Sequence, residues 1–272
     1  MMENPDQQRP VRLDTASKRS ERKGFAGFFE TLMRKFSVLL QVMMMVPLYV
    51  FACVCGGLGL APALYFYHWA AKVSQNWPSI AQHFATGTSI VAAFFIFGFS
   101  SILILPAVNF VTRSNLKAWR GPYYSLEAIR WYIHNGAVYL LRYSFLEFVT
   151  PSPFLNWFYQ LMGMKIGRGT IINSTHISDP SLISMGEKVT IGGSAAIVGH
   201  YGQGGYLVLA PVVIEDNVTI GLRAIIMGGA MIGKGAKILP NSVVLPKTVI
   251  PAGETWGGVP AQKITVFNRH AA

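Results

Sequence analysis

From Ile214 onward a large residue returns at every sixth position: Ile214, Ile220, Ile226, Ile232, Ile238, Val244, Ile250 and then Trp256. A helix repeats every 3.6 residues and a strand every 2, so neither period alone produces a strict six. A chain coiled as a triangular prism does. Each flat face is a short parallel strand, each corner is a tight turn, and three hexads, roughly 18 residues, complete one coil. The aliphatic residue points inward. Four residues after the first six of them stand Val218, Ala224, Ala230, Ala236, Ser242 and Thr248, small enough for the crowded corners. Stacked coils bury the aliphatics as columns and pair the backbone of each coil with the next. An earlier block repeats less cleanly, with Ile166 and Ile172, then, after a slip of one residue, Ile191 and Ile197. The unit is so short and regular that the left-handed form is expected, an exception to the usual right-handed crossover. About five coils fit between Ile166 and Trp256 at that repeat length.

The rest of the chain has a different character. The sequence is 51% hydrophobic and only 13% charged, too apolar for an ordinary soluble protein. No formally charged residue occurs from Val38 to Ala71 or from Phe84 to Thr112. Each run exceeds the ~20 residues that cross a bilayer as a helix. A kink or break is expected near Gly56–Pro62. Four regions follow: a basic tail over 1–36, two transmembrane helices over 37–112, interfacial aromatic helices over 113–164, and the left-handed β-helix over 165–272. Charge-free spans favour an anchor over a transport pathway. Cys53 and Cys55, inside the first run, read as small buried hydrophobes.

The formal charge of +11 is concentrated beside the apolar runs. No Lys/Arg-rich run with interleaved aromatics suggests nucleic acid as a partner. Lys18, Arg19, Arg22, Lys23, Arg34 and Lys35 precede the first run, and Arg113, Lys117 and Arg120 follow the second. The connection between them, His68 to His83, carries Lys72 alone. The positive-inside rule therefore places both termini in the cytoplasm, as a multi-pass protein of the cytoplasmic (inner) membrane. In 113–164, Trp131, Tyr132, Tyr139, Tyr143, Trp157 and Tyr159 suit a headgroup environment, and the same face suits packing on the next domain.

The hexads, the closing "WGGVPAQKI" and the lead-in "MGMKIGRGTI" resemble hexapeptide-repeat acyltransferases of the left-handed β-helix superfamily over about 162–266. A wider likeness takes in "TPSPFLNWFYQLMGMKIG", "ISDPSLISMGEKVTIGGSAAIVGHYGQGG" and the preceding spans. It resembles the C-terminal membrane region of polylysine-synthetase-type nonribosomal peptide synthetases. The resemblance implies a homotrimer and an acyl-CoA co-substrate, or a phosphopantetheinyl carrier protein, with no metal. It also implies a general-base histidine just before a loop that leaves the rod. Here His200 stands in that place, with Gln203 to Pro211 as the insertion. Histidine suits the task because its pKa lies near ambient pH. A histidine that only caps a corner is the competing reading. His176 takes a small-residue position of the Ile172 hexad and reads as structural, or as an aid to the site. Asp179 could orient a histidine, bind an amine acceptor, or simply form an Asp-Pro turn. For the donor, the resemblance implies a groove between prisms lined by Gly228, Gly229, Asn241, Lys247, Gly258, Pro260 and Lys263. The lysines would meet phosphate.

Three functions are compatible with these residues. One is transfer of an acyl group from CoA to a hydroxyl or amine of a small-molecule or lipid-linked acceptor in the membrane lipid bilayer, on the cytoplasmic side. The second is aminoacyl or peptidyl transfer from a carrier-protein thioester. The third is a non-catalytic trimeric membrane scaffold. A zinc lyase on the same prism needs about three metal-binding histidines, and the repeats offer His176 and His200 alone.

Overall fold

The inward column forms as the hexads require: Ile214, Ile220, Ile226, Ile232, Ile238, Val244 and Ile250 are each at most 2% exposed in the computed structural model, which describes residues 23–123 and 125–265. Fully burying such a side chain is worth roughly 1.5–3 kcal/mol, so these columns are the main source of the rod's stability. Parallel strands build three faces. The first stacks Lys165–Ile166, Ile183–Met185, Val212–Ile214, Met231–Ile232 and Val249–Ile250. The second stacks Ile171–Ile172, Thr190–Ile191, Thr219–Ile220, Lys237–Ile238 and Thr255–Gly257, with Gln262–Lys263 antiparallel on its edge. The third stacks Ile177–Ser178, Ala196–Val198, Ile225–Ile226 and Val243–Val244. Ile214 pairs with Ile232 and Ile220 with Ile238, so the later coils are eighteen residues long. The architecture is consistent with the left-handed form.

The slip in the first block has a definite location. Ile166 pairs with Met185 and Ile172 with Ile191, nineteen residues on. The extra length lies at Asp179, whose φ of 62° is left-handed, and in the 3₁₀ turn Pro180–Leu182 that follows. A second departure is larger. The chain leaves the third face as the antiparallel hairpin His200–Gln203 and Tyr206–Leu209, and Ala210 N donates to Gly199 O at 2.8 Å to close it. Strand Trp119–Pro122 pairs antiparallel with Tyr206–Leu209 as the hairpin's third strand. The insertion therefore begins at His200 rather than Gln203, and Val212 is already back on the first face. Glycine-rich spacing conceals this, because both arms of the hairpin pair with each other.

Among the described residues five α-helices precede the rod. α1 (Gly24–Lys35) leads to the long α2 (Ser37–Ser74) and α3 (Ser79–Val111), which pack against each other. Lys18, Arg19 and Arg22, used above for orientation, lie outside the described residues. α2 runs through Pro47 and Pro62 as one helix, so the expected break near Gly56–Pro62 does not occur. The connection between the pair shortens to 75–78, because His68 and His83 are helical and bond the Leu64 and Ser79 carbonyls. Beyond them come α4 (Leu126–Arg142) and α5 (Pro153–Leu161). α4 is capped by Ser125, whose Oγ accepts from Ala128 N at 3.3 Å.

The helices are joined to the rod through an aromatic knot. Phe145 is fully buried, with the rings of Phe94, Phe95 and Phe99 edge-on at 5.3–6.0 Å. Gly98 permits the contact, since a Cβ there would lie 2.1 Å from the Phe145 ring. Leu146, Leu155, Phe158, Tyr159 and Met162 continue this core into Ile172, Ile177 and Ile191 of the first coils. Of the two environments open to the 113–164 aromatics, Tyr159 takes the packed one: it is fully buried and donates to Thr175 O at 3.1 Å. Tyr143 and Trp157 remain exposed.

Candidate active site

The two irregularities of the rod meet. The slip places Asp179 under the hairpin's first residue, and His200 Nδ1 donates to Asp179 Oδ2 at 2.5 Å. The Asp179 side chain is fully buried, while that of His200 is 20% exposed. A buried carboxylate is costly unless its oxygens are occupied. Here Trp131 Nε1 donates to Oδ1 at 2.8 Å and Asn135 Nδ2 to the same atom at 2.7 Å. Asp179 N in turn donates to Asn135 Oδ1 at 3.2 Å. The Trp131 ring meets the His200 ring edge-on at 5.0 Å. Among the described residues no hydrogen bond is made by His200 Nε2, so an imidazole with one anchored nitrogen presents the other.

Behind the pair lies a second histidine that is sealed. His134 is fully buried, its Nδ1 donating to Asn109 Oδ1 at 2.9 Å and its Nε2 facing Ser181 Oγ at 3.5 Å. Burial drives its pKa down to about 4, against the pull of Asp179, so it is neutral at ordinary pH. Asn109 Nδ2 donates to Asn115, and Ser181 Oγ accepts from Leu116 N, which completes the network.

The other sequence-derived site residues distribute unevenly. His176 is not part of the pair. Burial and the Arg142 guanidinium hold its pKa below the usual histidine range, with Glu147 opposing, and its buried Nδ1 has no hydrogen-bond partner. Gly228, Gly229 and Lys247 share the corner of the hairpin: Gly229 N donates to Ala210 O at 3.2 Å and Lys247 N to Gly228 O at 3.1 Å. A Cβ on Gly228 would stand 3.1 Å from His200 N, a tight contact that would push on the hairpin root. Asn241 and Gly258 lie at the next corner, where Asn241 N bonds Leu222 O and Gly258 N bonds Ser242 Oγ. Pro260 follows Gly258 in the closing turn. Lys263 Nζ is paired with Glu254 at 2.5 Å rather than left for a phosphate. Among the described residues, no group of three or more His, Cys, Asp or Glu is gathered as a metal site would be. Sequence reasoning missed Trp131, Asn135 and His134. Their shared helical face, i, i+3 and i+4, was the available signal, but nothing in it points to a rod residue more than forty positions away.

The fold and this corner define a parallel β-helix of six-residue repeats in which a histidine at the root of the insertion is paired with an aspartate from the first coil. Residues 211–246 match the family model described as bacterial transferase hexapeptide (six repeats). Over 213 residues, 78% of the chain, it is 26% identical to the delta-poly-L-ornithine synthetase of Acinetobacter baumannii (strain AB307-0294), covering 15% of that protein. It is 34% identical over 105 residues to the mitochondrial gamma carbonic anhydrase 2 of Arabidopsis thaliana, 37% of this chain and 33% of that one. Over 79 residues it is 35% identical to the 2,3,4,5-tetrahydropyridine-2,6-dicarboxylate N-acetyltransferase of Staphylococcus aureus (strain JH9), 29% of this chain and 31% of the relative. The chain thus spans at most about a third of the length of these relatives.

Proposed function

We propose that the protein is a membrane-anchored acyltransferase that moves an acyl group from a CoA thioester to a hydroxyl or amine of a membrane-associated acceptor. The observation that carries this reading is the His200–Asp179 pair, with a fully occupied buried carboxylate on one ring nitrogen and a free nitrogen on the other. A fold shared with a carbonic anhydrase does not decide chemistry, whereas this site geometry bears on it directly.

The reaction needs one mobile proton. Nε2 of His200 takes it from the acceptor O–H or N–H as that atom attacks the thioester carbonyl. Asp179 stabilises the imidazolium that forms. Collapse of the tetrahedral adduct breaks the C–S bond, and the proton returns to the departing thiolate. Gly228, which abuts His200, and Gly229 and Lys247 of the same corner are the candidate donor contacts. Asn241, Gly258 and Pro260 then belong to the far wall of a groove that a neighbouring rod of a homotrimer would complete.

Membrane attachment is supported by α2 and α3, which are long and apolar enough to cross a bilayer and stay mostly uncovered, with 11% and 28% of their most apolar windows buried. Basic flanks favour a cytoplasmic site. A second reading, transfer of an aminoacyl or peptidyl group from a carrier protein, is favoured by the synthetase likeness, which spans helices and rod together. The test offers the purified protein acetyl-CoA or an aminoacyl-loaded phosphopantetheinyl carrier, each with membrane extract. Thiol release from acetyl-CoA that vanishes in His200→Ala is expected. Release from the carrier alone selects the second reading. No release from either donor leaves only a scaffold.

A further inference from the structure

We infer that α4 is the positioning element of the base, with Trp131 and Asn135 fixing which oxygen of Asp179 and which nitrogen of His200 are available. This rests on the reading of His200 as general base. A carboxylate has about four lone-pair positions on two oxygens. Two donors from α4 occupy Oδ1, and the return bond from Asp179 N to Asn135 Oδ1 holds the aspartate's left-handed backbone in place. Oδ2 alone is left for the imidazole, which sets a single tautomer with Nδ1 protonated and Nε2 bare.

Both donors stand one helical turn apart on α4, so a single face presents them. His134, on that same face, bonds Asn109 in the last turn of α3 and approaches Ser181, two residues beyond Asp179. One face of α4 therefore carries two hydrogen-bonded groups, one from His134 to Asn109 at the end of an apolar helix and to Ser181, the other from Trp131 and Asn135 to the Asp179 that holds the base. Neither Trp131 nor Asn135 is assigned contact with an acceptor; they act through Asp179.

The experiment uses the full-length protein in detergent, with acetyl-CoA and membrane extract, and follows CoA release. Trp131→Phe keeps a ring beside His200 but loses the N–H; Asn135→Leu loses both amide bonds to Asp179 and the one to Trp131 O. Each is expected to lower kcat roughly tenfold with the KM for acetyl-CoA within about twofold. In ¹⁵N-histidine-labelled protein, the strongly downfield proton of the short Nδ1–Oδ2 bond, identified by its loss in His200→Ala, should move upfield in both. Should Asn135→Leu not fold, Trp131→Phe decides alone. Retention of kcat and of the downfield resonance in Trp131→Phe overturns the inference while the base reading stands. Full activity of His200→Ala overturns the base reading itself.

Discussion

The two halves of the rod are built by one rule and differ in how strictly they keep it. From Ile214 to Trp256 every hexad has its inward residue, and the buried interior holds a single polar side chain, Ser242, among the described residues. The part before it breaks register twice and buries Thr170, Ser174, Thr175, Ser178 and Asp179. The regular half supplies rigidity. The irregular half uses that rigidity to hold a carboxylate where water cannot reach it. A site that needs 2.5 Å geometry belongs where the repeat fails, beside coils that are closely packed and fully paired.

If this division holds, Ile226→Ala in the regular half should cost about 4 kcal/mol of stability and leave the activity of folded molecules unchanged. Thermal melting and specific activity measured on the same preparation check this. Equal stability loss from Thr175→Ala would erase the contrast.

A pH test sharpens the other side. Burial holds His134 down to about 4. Unfolded, the ring takes up its proton near the ordinary value of about 6.5. The folded state is therefore favoured fully above that pH, and stability falls as pH drops from about 6.5 towards about 4, by about 3 kcal/mol. Melting between pH 7 and pH 4.5 should show the fall, and His134→Gln should flatten it. A smaller effect is expected where the halves touch. Gly228→Ala places a Cβ against the root of the hairpin and should reduce kcat about tenfold with little change in melting. Smallest of all, Lys247→Ala should raise the KM for acetyl-CoA a few-fold. Lys263→Ala, whose ammonium is already committed to Glu254, should leave that KM unchanged.

How much of this was legible in the sequence follows the same division. The inward columns could be read directly, because an exact period of six has one structural solution. His200 could be placed beside a break, since the hexads stop at Ile197 and resume at Ile214. Asp179 was visible only as a candidate with three possible roles. Its contact with His200 depends on a left-handed backbone and a 3₁₀ turn that absorb the register slip, and no local pattern distinguishes that from a plain Asp-Pro turn. Trp131 and Asn135 were hidden for a different reason. Among aromatic and amphipathic neighbours they fit a membrane-surface helix equally well, and only tertiary packing reveals the carboxylate they serve. The partner of Lys263 was not legible either, because charge in sequence does not name its counter-ion, and Glu254 is nine residues away across a turn.

The central claim is that His200 and Asp179 work as one unit, and a double-mutant cycle on CoA release asks this directly. His200→Ala, Asp179→Asn and the double variant are compared with the unaltered protein in detergent, with acetyl-CoA and membrane extract. Each single change is expected to remove most of the rate, with the double variant no slower than His200→Ala. Losses that multiply, or a His200→Ala enzyme as fast as the original, would contradict the claim.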